Sequence, residues 1–232
     1  MSLIVATAQR DTAILLTDGA TYRKDAAIDR IGSKVITFPG VCGAIAYEGR
    51  ACREDIAAMA EGLAIRSALD LVRGLGKLAS EMLDWRMQWH PGEPDADILL
   101  CAAVYAPGVG PSLWVAWTGG EADRPGLMPG RERNVSRYCN YGDPSEMLAR
   151  PVDLRDPASF DPRSDGMKLA DVARSGPWDP DVGGHHVGGF LEMTTVGAAG
   201  VSKRTLCRWP DKVGAPVDPS RHRRRNWFAS RR

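Results

Sequence analysis

Ser2-Leu3-Ile4-Val5-Ala6-Thr7, then Ala13-Ile14-Leu15-Leu16-Thr17-Asp18-Gly19-Ala20-Thr21, then Ile31-Gly32-Ser33-Lys34-Val35-Ile36-Thr37-Phe38: these three runs decide the fold. Each is short, apolar and rich in β-branched residues, which is how a buried strand reads. Arg10-Asp11 makes a turn between the first two, and Pro39-Gly40 closes the third. Val41-Cys42-Gly43-Ala44-Ile45-Ala46-Tyr47 is a fourth strand. Three polar residues punctuate the series at equal steps of sixteen: Ser2, Asp18 and Lys34. Asp18 ends one strand and Lys34 opens another, so both can converge on the first residue of strand one. A serine at position 2 becomes the first residue once an initiator methionine is trimmed. Its freed α-amine, titrating near 7.7–8.0, can then serve as the base for its own hydroxyl.

This spacing resembles that of the proteasome-type N-terminal nucleophile (Ntn) hydrolases, the class of the proteasome β-subunits and the bacterial HslV peptidase. The resemblance makes Ser2 the nucleophile, in place of the threonine the family usually carries. By the same resemblance Asp18 orients the lysine, and Lys34 lowers the cost of deprotonating the hydroxyl. Glu48-Gly49-Arg50-Ala51-Cys52 is similar to the family's glycine turn before its first helix, and Gly49 is the matching oxyanion donor. Losing such a donor costs roughly 2.7–4 kcal/mol of transition-state stabilisation. Thr21, Tyr22 and Ser33 fall where the family lines its first specificity pocket. The resemblance implies a ring or smaller homo-oligomer, a peptide or small amide substrate, and no cofactor or metal. It also implies an α+β fold: a four-layer αββα sandwich of two stacked antiparallel sheets flanked by helices.

The remaining sequence continues that order of elements. Arg53 to Leu63 places Ile56, Met59, Ala60 and Leu63 on one helical face. A second helix over Ser67–Trp89 carries Leu71, Leu75, Leu78, Met82 and Trp85, with Gly74 and Gly76 loosening its middle and His90-Pro91-Gly92 ending it. Ala96–Tyr105 and Ser112–Trp117 form a hairpin around Ala106–Pro111. From Gly119 to Arg163 the composition predicts surface loops with one strand near Asn134–Tyr141. Met167–Arg174 is a short helix, where the family has two full ones. Val187–Val196 and Val201–Trp209 then pair around Gly197–Gly200, similar to the family's late Gly-Gly strand pair. Many members place an aspartate and a serine just before that motif. Gly184 and Val187 occupy those positions here, and Asp171 and Ser175 could substitute only with a different loop path.

Composition sets the outer bounds. The 232 residues divide into a single domain over 1–218 and a basic tail over 219–232. Thirty basic residues against twenty-nine acidic give a net charge of +1, which disfavours nucleic acid as the main partner. No stretch reaches the roughly 18 apolar residues of a membrane span, and no basic-then-apolar pattern of a signal peptide is expected from the sequence. Five scattered cysteines (Cys42, Cys52, Cys101, Cys139 and Cys207) read as buried thiols in a reducing, cytoplasmic setting. Cys52, near a helix start, is read as a packing residue in preference to a nucleophile. His185-His186, adjacent on an extended segment, point opposite ways and read as a polar loop in preference to a metal site or a proton shuttle. The tail from Ser220 to Arg232 holds six arginines and Trp227-Phe228. It is either a solvated extension or an arm that docks on an acidic protein partner. A non-catalytic proteasome-like subunit or assembly protein is the alternative to the enzyme.

Overall fold

The computed structural model describes residues 3–23, 25–49, 53–89, 98–118, 127–140, 156–176 and 185–222. It is a mixed α+β structure with three antiparallel sheets. The first has the order β10-β1-β2-β11-β12. It is built from β1 (Ile4–Ala8), β2 (Thr12–Asp18), β10 (Arg137–Cys139), β11 (Phe190–Gly197) and β12 (Gly200–Arg208). The second has the order β5-β6-β7-β8-β9. Its strands are β5 (Val35–Thr37), β6 (Gly43–Glu48), β7 (Leu99–Ala106), β8 (Gly110–Trp117) and β9 (Glu132–Val135). A small third sheet pairs β3 (Ala20–Tyr22) with β4 (Ile28–Ile31). Three helices are described: α1 (Arg53–Gly62), α2 (Ala68–Trp89) and α3 (Ser164–Ser175).

Alternation along the strands explains the packing. In the first sheet Ile4, Ala6, Ala13 and Leu15 point one way and meet Val35, Ala44, Ala46, Leu99, Cys101 and Ala103 of the second sheet. The intervening residues Leu3, Val5, Ile14 and Leu16 point the other way, onto Leu169, Ala170 and Ala173 of α3. The second sheet repeats the device. Its outward residues Ile45, Tyr47, Leu100, Ala102 and Val104 pack on Ile56 and Ala60 of α1 and on Leu71, Leu75, Leu78 and Met82 of α2. Strands β2 and β7 are buried on both faces, so their sequences read as continuous apolar runs instead of alternating ones.

Several elements differ from expectation, each for a local reason. Helix α2 runs unbroken through Gly74 and Gly76. A Cβ on Gly76 would stand 2.7 Å from the Gly130 carbonyl oxygen and 2.8 Å from Glu132 Oε2. That glycine therefore serves close approach of the chain entering β9. The single strand expected near Asn134–Tyr141 is two strands. They separate at Ser136 and join different sheets: β9 pairs with β8, and β10 with β1. The strand expected from Val187 starts only at Phe190, because Gly188 and Gly189 spend their N–H groups on carboxylates (below). The hairpin β3–β4 went unforeseen; Asp25 caps its turn by accepting from the Ala27 N–H. Among the described residues no helix is long and apolar enough to cross a membrane.

Candidate functional site

Asp18 closes β2 of the first sheet, and Lys34 immediately precedes β5 of the second. Their side chains meet between the sheets. Lys34 Nζ donates to Asp18 Oδ1 at 2.7 Å, with exposures of 1% and 0%. Asp18 gathers three backbone donors as well. The Leu3 N–H reaches Oδ1 at 2.9 Å, and the N–H groups of Ala20 and Gly188 reach Oδ2 at 3.2 and 3.1 Å. Four donors around a carboxylate stabilise its charged form in a place where an unpaired charge would be very costly. Burial holds the Lys34 ammonium below the usual lysine range; the charges of Asp18 and Glu48 work against that shift.

The Leu3 hydrogen bond ties this pair to the start of the chain. Ser2 itself lies outside the described residues, as do Cys52, Gly184 and residues 223–232 with Trp227-Phe228. Gly49 is exposed just past β6 with φ of 105°, a left-handed conformation that favours glycine. Of the three pocket residues, Tyr22 stands with the pair: Lys34 Nζ is 5.9 Å from its ring centre. Burial raises the Tyr22 phenol well above its ordinary range, and the charges of Asp18 and Asp211 add to this. Thr21 faces away from Tyr22 on β3 and donates to the Arg30 carbonyl at 3.3 Å. Ser33 turns to a second polar group between the sheets. It donates to Glu192 Oε1 at 2.5 Å, while Lys203 Nζ donates to Ser33 Oγ at 3.0 Å and to the Val35 carbonyl at 2.6 Å.

The two histidines diverge. His185 Nδ1 lies 3.1 Å from the Gly176 carbonyl, whereas His186 packs its ring at 4.9 Å from that of Tyr22. Burial, aided by the Lys34 charge, lowers His186 to about 4. The unfolded chain takes up this proton below about 6.5 and the folded chain only near 4, so stability rises with pH across that window. Urea unfolding at pH 4.5 and pH 7 checks this. The wild type should gain about 1–2 kcal/mol more than His186→Phe between the two, a figure reduced for the ring's partial exposure. Among the described residues no group of three or more His, Cys, Asp or Glu stands placed to hold a metal ion. Asp171 and Ser175 interact within α3, where the Ser175 hydroxyl donates to the Asp171 carbonyl at 2.7 Å.

One part of the site has no counterpart in the sequence reading. Arg174 and Asp211, with side chains 1% and 3% exposed, form a two-pronged pair at 2.8 and 2.6 Å. Arg174 also donates to the Val187 carbonyl at 2.8 Å, and Asp211 accepts from the Gly189 N–H at 2.8 Å. The available signal was an arginine on the apolar stripe of a helix, following Ala170 and Ala173. Such a charge is seldom buried unless it is paired. No protein-family model matches the chain, and no curated protein matches it either.

Proposed function

We propose that the chain is a proteasome-type N-terminal nucleophile hydrolase that cleaves amide bonds, those of peptides first, through an acyl-enzyme on Ser2. The observation that supports this most is the buried Lys34–Asp18 contact of 2.7 Å, hydrogen-bonded through the Leu3 N–H to the beginning of β1. On this reading the three cores make a four-layer αββα sandwich of the Ntn-hydrolase kind. Leu3, the residue that follows the proposed nucleophile, donates its N–H to Asp18 beside Lys34.

With Met1 removed, the Ser2 hydroxyl attacks the substrate carbonyl and its proton passes to the Ser2 α-amine, directly or through one water. The fixed positive charge of Lys34 favours the developing alkoxide and lowers the basicity of the nearby amine. Asp18 keeps that charge in place. The Gly49 N–H donates to the oxyanion of the tetrahedral intermediate. Collapse expels the amine, which takes the proton held by the α-amine. Water then adds to the ester, and Ser2 leaves with its proton restored. The enzyme assembles as a homo-oligomer and works in a reducing, cytoplasmic compartment. The odd number and scattered spacing of the five cysteines fit that setting.

Intact-mass spectrometry tests the proposal. A chain lacking Met1 that gains one adduct at Ser2 from an epoxyketone or β-lactone, with none on Ser2→Ala, is the expected result. A retained Met1 with no adduct favours the non-catalytic, proteasome-like subunit. A panel of peptides and small amides, with Ser2→Ala as control, then separates a peptidase from an amidase.

A further inference from the structure

We propose that the buried Arg174–Asp211 pair is a positioning device for the Asp18–Lys34 pair, acting through the peptide run Val187–Gly189. The inference rests on the function proposed above, and its test stands apart from that function. The two ends of this run are each held by one member of the pair: the Val187 carbonyl by Arg174, and the Gly189 N–H by Asp211. The residue between them does the coupling. Gly188 donates its N–H to Asp18 Oδ2 at 3.1 Å, and its carbonyl accepts from the Gly19 N–H at 3.1 Å. A Cβ at Gly188 would lie 3.0 Å from Asp211 Oδ2, from Tyr22 Oη and from Val217. The run is thus pressed against the pair on one side and against the aspartate on the other.

An ion pair that merely closed α3 onto the following strands would not need to grip a glycine loop at both ends. Arg174 does have such closing contacts, to the Asp218 carbonyl at 3.3 Å and over the Trp209 ring at 4.9 Å. The grip on the loop is what makes the pair specific to the site. If it relaxes, Gly188 loses its line to Asp18, and the carboxylate keeps one fewer donor. More of its charge is then left to hold the Lys34 proton, and water gains access to the ammonium. Both changes favour the protonated lysine. The groups that face Lys34 are Asp18 from β2, Glu48 from β6, Tyr22 from β3 and His186 from the loop before β11. Of these only Tyr22 feels the pair directly, Asp211 raising its phenol and Arg174 lowering it, and that phenol stays neutral through the titration of Lys34.

The experiment is a lysine-detected NMR titration of the full chain labelled with 13C-lysine, with the Lys34 signal identified by its loss in Lys34→Met. Arg174→Lys keeps the charge but not the fork, and Asp211→Asn keeps the outline but not the charge. In both, the Lys34 midpoint is expected to rise by about half a pH unit or more, while that of the partly buried Lys203 stays within about a quarter of a unit. If the Lys34 midpoint stays put or falls in these variants, or Lys203 moves equally, the proposal is overturned and the pair is only a brace for α3. This readout requires no turnover. A shifted Lys34 in a chain that takes no Ser2 adduct would uphold the positioning role while sinking the hydrolase. Where turnover is measurable, kcat is expected to fall about tenfold with KM within about twofold.

Discussion

Asp18→Asn is expected to abolish the proposed hydrolysis in practical terms, by about 10³-fold or more in kcat/KM, and to lower unfolding stability by about 3–5 kcal/mol. The reason lies in the four donors that surround this carboxylate. An asparagine has one acceptor oxygen and one donating nitrogen. Turned one way, its amide nitrogen faces Lys34 and the Leu3 N–H. Turned the other, it faces Ala20 and Gly188. Either rotamer sets donors against donors in a site with no exposure, and leaves the Lys34 charge without its carboxylate. Urea unfolding of Asp18→Asn beside wild type measures the stability loss. A stability within about 1 kcal/mol of wild type would contradict the packing argument.

Lys34→Met is the second large effect, and its contrast with the first is informative. In the proposed mechanism activity should fall by a similar factor of about 10³, since that mechanism sets the Lys34 charge beside the alkoxide. Stability should fall less, by about 1–3 kcal/mol, for two reasons. Asp18 keeps its three backbone N–H partners, and a methionine fills most of the space of the lysine stem. A double-mutant cycle with Asp18→Asn reports the coupling directly. Activity surviving in Lys34→Met would refute the assigned role of the lysine, whatever the stability result. The two variants together separate what the pair does for chemistry from what it does for folding.

How far the sequence carried depends on which signal each residue bears. Strands β1 and β2 and helix α2 were legible because their apolar residues recur at the period of a fully buried strand or an amphipathic helix. The convergence of Asp18 and Lys34 was legible from their places at strand ends, and their pairing from the resemblance that the sixteen-residue spacing carries. The Arg174–Asp211 pair was not, because its partners are 37 residues apart and neither carries a local spacing signal. Ser33 shows a related limit. Its neighbour Lys34 turns toward Asp18, so alternation alone sends Ser33 the other way, yet its partners Glu192 and Lys203 lie some 160 residues on. The division between β9 and β10 was equally hidden. The run from Glu132 to Cys139 mixes charged, polar and apolar residues with no clear period, and only the two sheets waiting on either side decide where each half goes.

That division at Ser136 has a mechanical consequence. Because β9 ends one sheet and β10 ends the other, with a single residue between them, the chain forms a spine along that long side of the molecule. The opposite side is the fore-edge, where β5 and β12 are the outermost strands. That fore-edge is clasped by Lys203 and Glu192 on Ser33, and beside the clasp lies a cleft of about 480 Å³ between Thr37–Cys42 and Gly200–Lys203. Amide exchange is therefore expected to be faster in the outermost strands β5 and β12 than in β1 and β8 beside the spine.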